Sequence, residues 1–190
     1  MINYPNGKKK MNFENKAPIE YANRGLLFEE EINRSNEYYR LQNIAVIYKK
    51  PTPIKVVKMQ QGSLGTHCIT EAYFQAPSTT DYNGIYKGKY IDFEAKETRN
   101  KTSFPLANIH PHQIQHMQQV IEHGGIGFLL VYFKMLNQVF LLDYRHVIMI
   151  HQSQKSSIPY SLFCEQGKAI PQGYVIPFDY LKIIDQVYFK

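Results

Sequence analysis

Tryptophan is absent from the 190 residues, and cysteine occurs only twice, at Cys68 and Cys164. Two distant cysteines without CxxC spacing exclude a disulfide scaffold and a cysteine zinc site, and they fit a reducing cytoplasm. No uninterrupted apolar run approaches the ~20 residues of a membrane span, so no membrane partner is expected. Met1 to Lys10 carries three lysines but no apolar stretch after them, so a signal peptide is not expected. A glycine-rich phosphate loop is missing, and so is a nucleophile elbow. His112 and His116 have the spacing of an HExxH zinc helix, but residues 112–116 read His-Gln-Ile-Gln-His. The glutamate that such a site needs is not there, and the two histidines read as part of a polar helix face.

What is present begins with charge. Twenty-two lysines and arginines stand against 16 acids, a net charge of +6. That balance points to a polyanionic partner, nucleic acid before membrane; the alternative is a basic protein without such a partner. Hydrophobic residues make up 44% of the chain, and 15 Tyr with 11 Phe supply the aromatics. The chain is long enough for one domain with a sizeable core. Residues 1–22 are polar, rich in Asn, Lys and Pro, and lack a period. They read as a disordered basic arm, either a tether for a nucleic-acid backbone or a frayed terminus.

From Asn23 the pattern turns helical, with Leu26, Leu27, Ile32, Tyr38 and Tyr39 near helical spacing. Glu29-Glu30-Glu31 lies on this helix, on a solvated face or turned toward a metal. Residues 43–48 form an apolar strand, and Lys49-Lys50-Pro51-Thr52-Pro53 gives it a stiff basic exit. Residues 50–77 read as a basic hairpin excursion, suited to entering a nucleic-acid groove or branch point; two ordinary antiparallel strands are the alternative. A helix starts near Pro111 and stops at His123-Gly124-Gly125. Residues 126–135 and 138–143 pair as strands. Residues 144–150 form a helix or extend the sheet, residues 152–175 are polar, and residues 179–189 close the chain as a helix. The expected architecture is α/β, a mixed central β-sheet flanked by helices, with a protruding β-hairpin stalk.

The chain is organised around residues 79–104. Tyr90-Ile-Asp-Phe-Glu-Ala-Lys96 alternates as a strand, which places Asp92, Glu94 and Lys96 on one face. That face is either solvated or built around a metal ion. Asn83-Gly84 is a hairpin turn signal that folds Asp81 back beside Glu94. Phosphodiester hydrolysis needs carboxylates to hold Mg²⁺, and a nearby lysine to orient water or stabilise charge. Asp81, Glu94 and Lys96 supply that set. By spacing alone, acid-x-Lys also occurs on solvated strands.

Asp81, then twelve residues, then Glu94-Ala95-Lys96 resembles the PD-(D/E)xK nuclease motif. Residues 77–98 and Lys101-Thr-Ser-Phe-Pro-Leu106 are similar to the RecU family of Holliday-junction resolvases. So are Asn23-Arg24-Gly25, Ile44–Ile47 with Lys49–Pro53, Glu71–Phe74 and His112–Met117. The resemblance is strong over residues 23–143 and weaker in the tails. It implies a restriction-endonuclease-like core in a nuclease domain spanning 23–190, with residues 54–76 as the stalk that enters the junction. It implies a homodimer that resolves four-way junction DNA by nicking opposing strands, in homologous recombination and DNA repair, using Mg²⁺ with Mn²⁺ as the alternative ion. Recombinase and branch-migration proteins are candidate partners. By the family pattern the metal ligands are Thr79, Asp81, Glu94 and Gln113, and Lys96 stabilises the transition state. Asp92 and Glu97 are left with supporting or solvated roles. The candidate DNA contacts are Arg24, Lys49, Lys50, Lys55, Lys58 and Lys101. Two departures stand out. The stalk tip reads Gln60-Gln-Gly-Ser-Leu-Gly-Thr66 where relatives often carry a Pro-Lys-Arg cluster, and Thr80 replaces the proline before the first acid. The competing reading is a branched-DNA-binding protein without catalysis, its acidic face solvated.

Overall fold

The apolar strands of the sequence assemble into one six-stranded sheet. The computed structural model describes residues 26–62, 65–75 and 79–189. The expected arm at 1–22 and Arg24 lie outside the described residues. Helix α1 (Leu26–Leu41) precedes β1 (Val46–Lys49), and the hairpin β2 (Ile54–Gln61) and β3 (His67–Phe74) follows. Next come β4 (Tyr82–Tyr86), β5 (Lys89–Thr98), β6 (Ser103–Pro105), α2 (Pro111–Glu122), β7 (Ile126–Phe133) and β8 (Gln138–Asp143). The chain ends with α3 (Tyr144–Gln152), β9 (Ser157–Pro159), α4 (Tyr160–Glu165), β10 (Lys168–Ile170) and α5 (Tyr180–Tyr188).

The main sheet has the order β1-β4-β5-β7-β8-β10. Only β5 and β7 are parallel, and α2 lies in the crossover between them. The sheet is therefore mixed, as expected, and helices cover both faces. On one face Phe28 and Ile32 of α1, with Tyr180 and Ile184 of α5, pack with Ile91, Phe93, Ala95 and Phe128. On the other, Ile114 and Met117 of α2, Val147 of α3 and Phe163 of α4 pack with Leu129, Val131 and Phe133. Tyr82, Phe93 and Phe128 stack across β4, β5 and β7 with ring centroids 4.8 and 4.6 Å apart. This aromatic ladder pins the register of the three central strands, because each ring fits only its opposite neighbour.

β2 and β3 pair only with each other, and every residue of β2 is exposed. The excursion is thus a projecting two-stranded stalk, closed at its base where the Gln75 amide donates to the Pro53 carbonyl at 3.0 Å.

Two expectations are revised, and one left open is resolved. The turn between β4 and β5 is at Lys87-Gly88, where φ is +47° and +75°, and not at Asn83-Gly84. Asn83-Gly84 lies inside β4, opposite Tyr48 and Ile47. Two consecutive positive φ values match a type I′ hairpin turn, which glycine at the second position favours. Gly84 serves another need: a Cβ there would come within 2.1 Å of the Val46 carbonyl oxygen. Residues 144–152 are helical. The polar stretch 152–175 contains β9, α4 and β10, and β10 forms an edge of the main sheet by pairing with β8.

These two glycines should therefore respond differently to substitution. Gly84→Ala is expected to lower stability by about 2–3 kcal/mol through the clash with β1. Gly88→Ala should lower it by about 1 kcal/mol, the cost of positive φ. Urea unfolding of the two variants measures the order, and equal losses would remove the close-approach argument for Gly84.

Candidate active site

β5 is central in the sheet and carries opposite chemistries on its two faces. Ile91, Phe93 and Ala95 enter one core. Asp92, Glu94 and Lys96 point to the other side, under α2, and both acids have 0% exposure. The charged face is therefore not solvated, and Asp92 in particular is buried. Carboxylates buried this completely must be paired or protonated, since isolated burial of a charge is prohibitively costly.

Asp81 reaches this face because β4 and β5 pair with Tyr82 opposite Phe93. Its Oδ2 accepts from the Ala95 amide at 3.2 Å and from Lys96 Nζ at 3.0 Å. Lys96 Nζ also lies 2.6 Å from Glu94 Oε2. Two carboxylates distant in sequence thus converge on one ammonium. Gln113, in the first turn of α2, donates from Nε2 to Glu94 Oε1 at 2.5 Å. Its Oε1 accepts from the His110 amide at 2.9 Å, closing the helix N-terminus. Both ends of the Gln113 amide are therefore engaged within the protein. Thr79 is half-buried two residues before Asp81.

The environment separates the two acids. Burial and the neighbouring Asp81 charge raise the Glu94 pKa to about 9, with Lys96 offsetting only part of the rise. Burial acts on Asp81 in the same direction, but Lys96, a hydrogen bond from Glu94 and the Ala95 amide outweigh it and hold its carboxyl below the usual range. Burial would lower the Lys96 pKa, yet Glu94 and Asp81 raise it. At neutral pH without metal, the pair shares one proton and Lys96 is charged. Tyr144, at the start of α3, is a further buried group near Glu94, Asp81 and Asp92, and its hydroxyl has no hydrogen-bond partner. Nothing in the sequence singled out this tyrosine.

The donor set suits a hard cation. Glu94 Oε2 is buried, and the Lys96 ammonium lies 2.6 Å from it. Two carboxylates match Mg²⁺, which binds through one or two such groups and keeps several waters. Among the described residues no cluster of three His, Cys, Asp or Glu side chains could hold a metal, so a site here rests on the acid pair with oxygens of other types.

The expected DNA contacts divide. Lys49 and Lys101 are exposed, and Lys49 pairs with Glu29. Lys55 and Lys58 are exposed on the stalk, with Lys58 3.0 Å from Glu71. Lys50 differs: its ammonium turns inward to Asp92, at 3.0 and 3.2 Å. On α1, Glu29 is engaged by Lys49 of β1, and Glu31 accepts from Gln172.

The protonation pattern has a thermodynamic consequence. Between the unfolded carboxyl value and about 9, the folded state binds a proton at Glu94 that the unfolded state does not. Its contribution is therefore full at low pH and declines as pH rises through that window. Metal-free protein should lose stability from pH 5 to 9. Glu94→Gln should flatten that slope and stabilise the metal-free chain at pH 8 by about 1–3 kcal/mol. Thermal unfolding in chelator across pH measures both, and an unchanged slope in the variant would contradict the assignment.

The chain is similar to known proteins along nearly its whole length. The family described as Recombination protein U matches residues 23–186. The chain is 49% identical over 196 residues to Holliday junction resolvase RecU of Geobacillus kaustophilus, covering 99% of this chain and 98% of that one. It is 49% identical over 198 residues to Holliday junction resolvase RecU of Bacillus thuringiensis strain Al Hakam, covering 100% and 99%. A solved structure of Archaeoglobus fulgidus Hjc, a Holliday junction resolvase, is similar over 74% of this chain and 93% of its own, with TM-score 0.44 and 9% identity. With a family model matching most of its length and near full-length relatives at 49% identity, this chain belongs to the RecU family.

Proposed function

We propose that this protein is a Holliday-junction resolvase, a divalent-metal-dependent endonuclease that nicks opposing strands of four-way DNA in homologous recombination and DNA repair. The observation that carries the reading is the convergence of Asp81, Glu94 and Lys96 in a chain 49% identical to such resolvases along nearly its whole length. Asp81 and Glu94, with Thr79 and Gln113 alongside, would hold Mg²⁺ or Mn²⁺. The bound ion supplies Lewis acidity at the scissile phosphate and a water of lowered pKa. Lys96 does the work of a fixed cation. It neutralises the acid pair at rest and faces the negative charge that builds on the attacked phosphate. Gln113 holds Glu94 in place from α2.

Two copies related by a two-fold axis would supply the two cuts, since nicks of matching polarity on opposing strands require that symmetry. The stalk, with Lys55 and Lys58 exposed along it, suits the open centre of a junction. Among the described residues no helix is long and apolar enough to cross a membrane. Action on DNA in the cytoplasm is consistent with that.

Cleavage of a synthetic four-way junction in Mg²⁺ tests the reading. The parent is expected to nick opposing strands. Asp81→Asn should lose at least about 100-fold in rate, the scale of a lost charge-stabilising contribution, while still binding the junction. Undiminished cutting by the variant would sink the site. Tight junction binding without cutting by either protein would favour a branched-DNA-binding module instead.

A further inference from the structure

Beneath the acid pair lies a second buried anion that the proposed chemistry does not use. Asp92 has 0% exposure and takes contacts from four segments of the chain. Lys50 Nζ donates to both its oxygens at 3.2 and 3.0 Å, from the exit of β1. The Thr80 hydroxyl donates to Oδ1 from the segment before β4. The Tyr90 hydroxyl donates to Oδ2 at 2.8 Å from β5 itself, and His116 Nε2 stands 2.9 Å from Oδ2 on α2.

Two of these segments carry site residues. Thr80 lies between Thr79 and Asp81. Lys50 holds that segment twice more, donating from its main chain to the Asp81 carbonyl at 2.8 Å and from Nζ to the Thr80 hydroxyl at 2.7 Å. His116 is three residues after Gln113, so both lie on one face of α2. Asp92 is two residues before Glu94, so both lie on one face of β5. The helix therefore docks on the strand through two polar rungs, Gln113 to Glu94 and His116 to Asp92. One rung would let the helix pivot, whereas two fix its rotation and its position along the strand.

We infer that Asp92, Lys50 and His116 are positioning residues, a clamp that sets the spacing of Asp81, Glu94 and Gln113 and thereby the affinity of the site for its divalent ion. The inference rests on reading Asp81 and Glu94 as that ion's site. Stability alone does not account for the cluster, because apolar replacement of a whole buried ion pair is often neutral or favourable.

That contrast supplies the test, which uses the full chain and Mn²⁺ binding measured by calorimetry, with thermal unfolding alongside. The double variant Lys50→Met/Asp92→Leu removes both charges together. It should fold, bind metal-free junction within about twofold of the parent, and bind Mn²⁺ about 10–100-fold more weakly, the loss typical when the supports of metal ligands are removed. The junction KM should hold while kcat falls. His116→Ala should weaken Mn²⁺ binding about tenfold, and His116→Gln, which keeps a donor, should recover most of it. This second pair decides the matter if the double variant does not fold. Full Mn²⁺ affinity in stable double and His116→Ala variants would overturn the clamp alone. Mn²⁺ binding that Asp81→Asn leaves intact would overturn the site reading beneath it.

Discussion

The constraint on which the rest of this structure depends is the burial of charge at the centre of a sheet. β5 carries two acids and a lysine on a face that α2 covers, and no water reaches the two carboxylates. Such a face is tolerable only if each charge finds a fixed partner. The fold meets this demand by drawing in groups from β1, the segment before β4, and α2. The same demand separates Glu94 and its neighbour Asp81 into one proton-holding and one ionised group, an arrangement that gives neighbouring carboxylates different tasks.

Both large cores follow from the alternation along β5. Its apolar side joins the aromatic ladder of Tyr82 and Phe93 with Phe128, which sets strand register to within a residue. Because side chains alternate, fixing Phe93 opposite Tyr82 also fixes where Glu94 and Lys96 emerge on the reverse side. Packing on one face thus aligns chemistry on the other. α2 then adds Gln113 from a region far along the chain.

Much of this was legible in the sequence, and the failures have physical causes. Strand alternation at 90–96 and glycine stops after α2 were strong local signals, and long strings shared with the RecU family carried the function. Asn83-Gly84 misled because a dipeptide suited to a tight turn was used for close approach between β1 and β4, a tertiary demand that no local rule reveals. β9, α4 and β10 were invisible because three-residue strands have no measurable period. Asp92 shared a face with Glu94 by simple counting, but its burial, and the inward turn of Lys50, depend on where α2 lands. A lysine next to a basic, proline-rich exit reads as solvent-facing until a buried acid is found to claim it.

The base of the stalk has a consequence for how this family can vary. The chain leaves the body at Lys50 and returns just before Asp81, and those two residues are hydrogen-bonded to each other across the gap. β2 and β3 hang from this closed neck, while β1 and β4 remain paired on the body side. The hairpin is therefore a module inserted into a tight connection. Changes confined to its tip, residues 60–66, would leave in place the strands that carry the acid pair. The stalk and the strands beside the acid pair are therefore free to change separately, although they share a single seam.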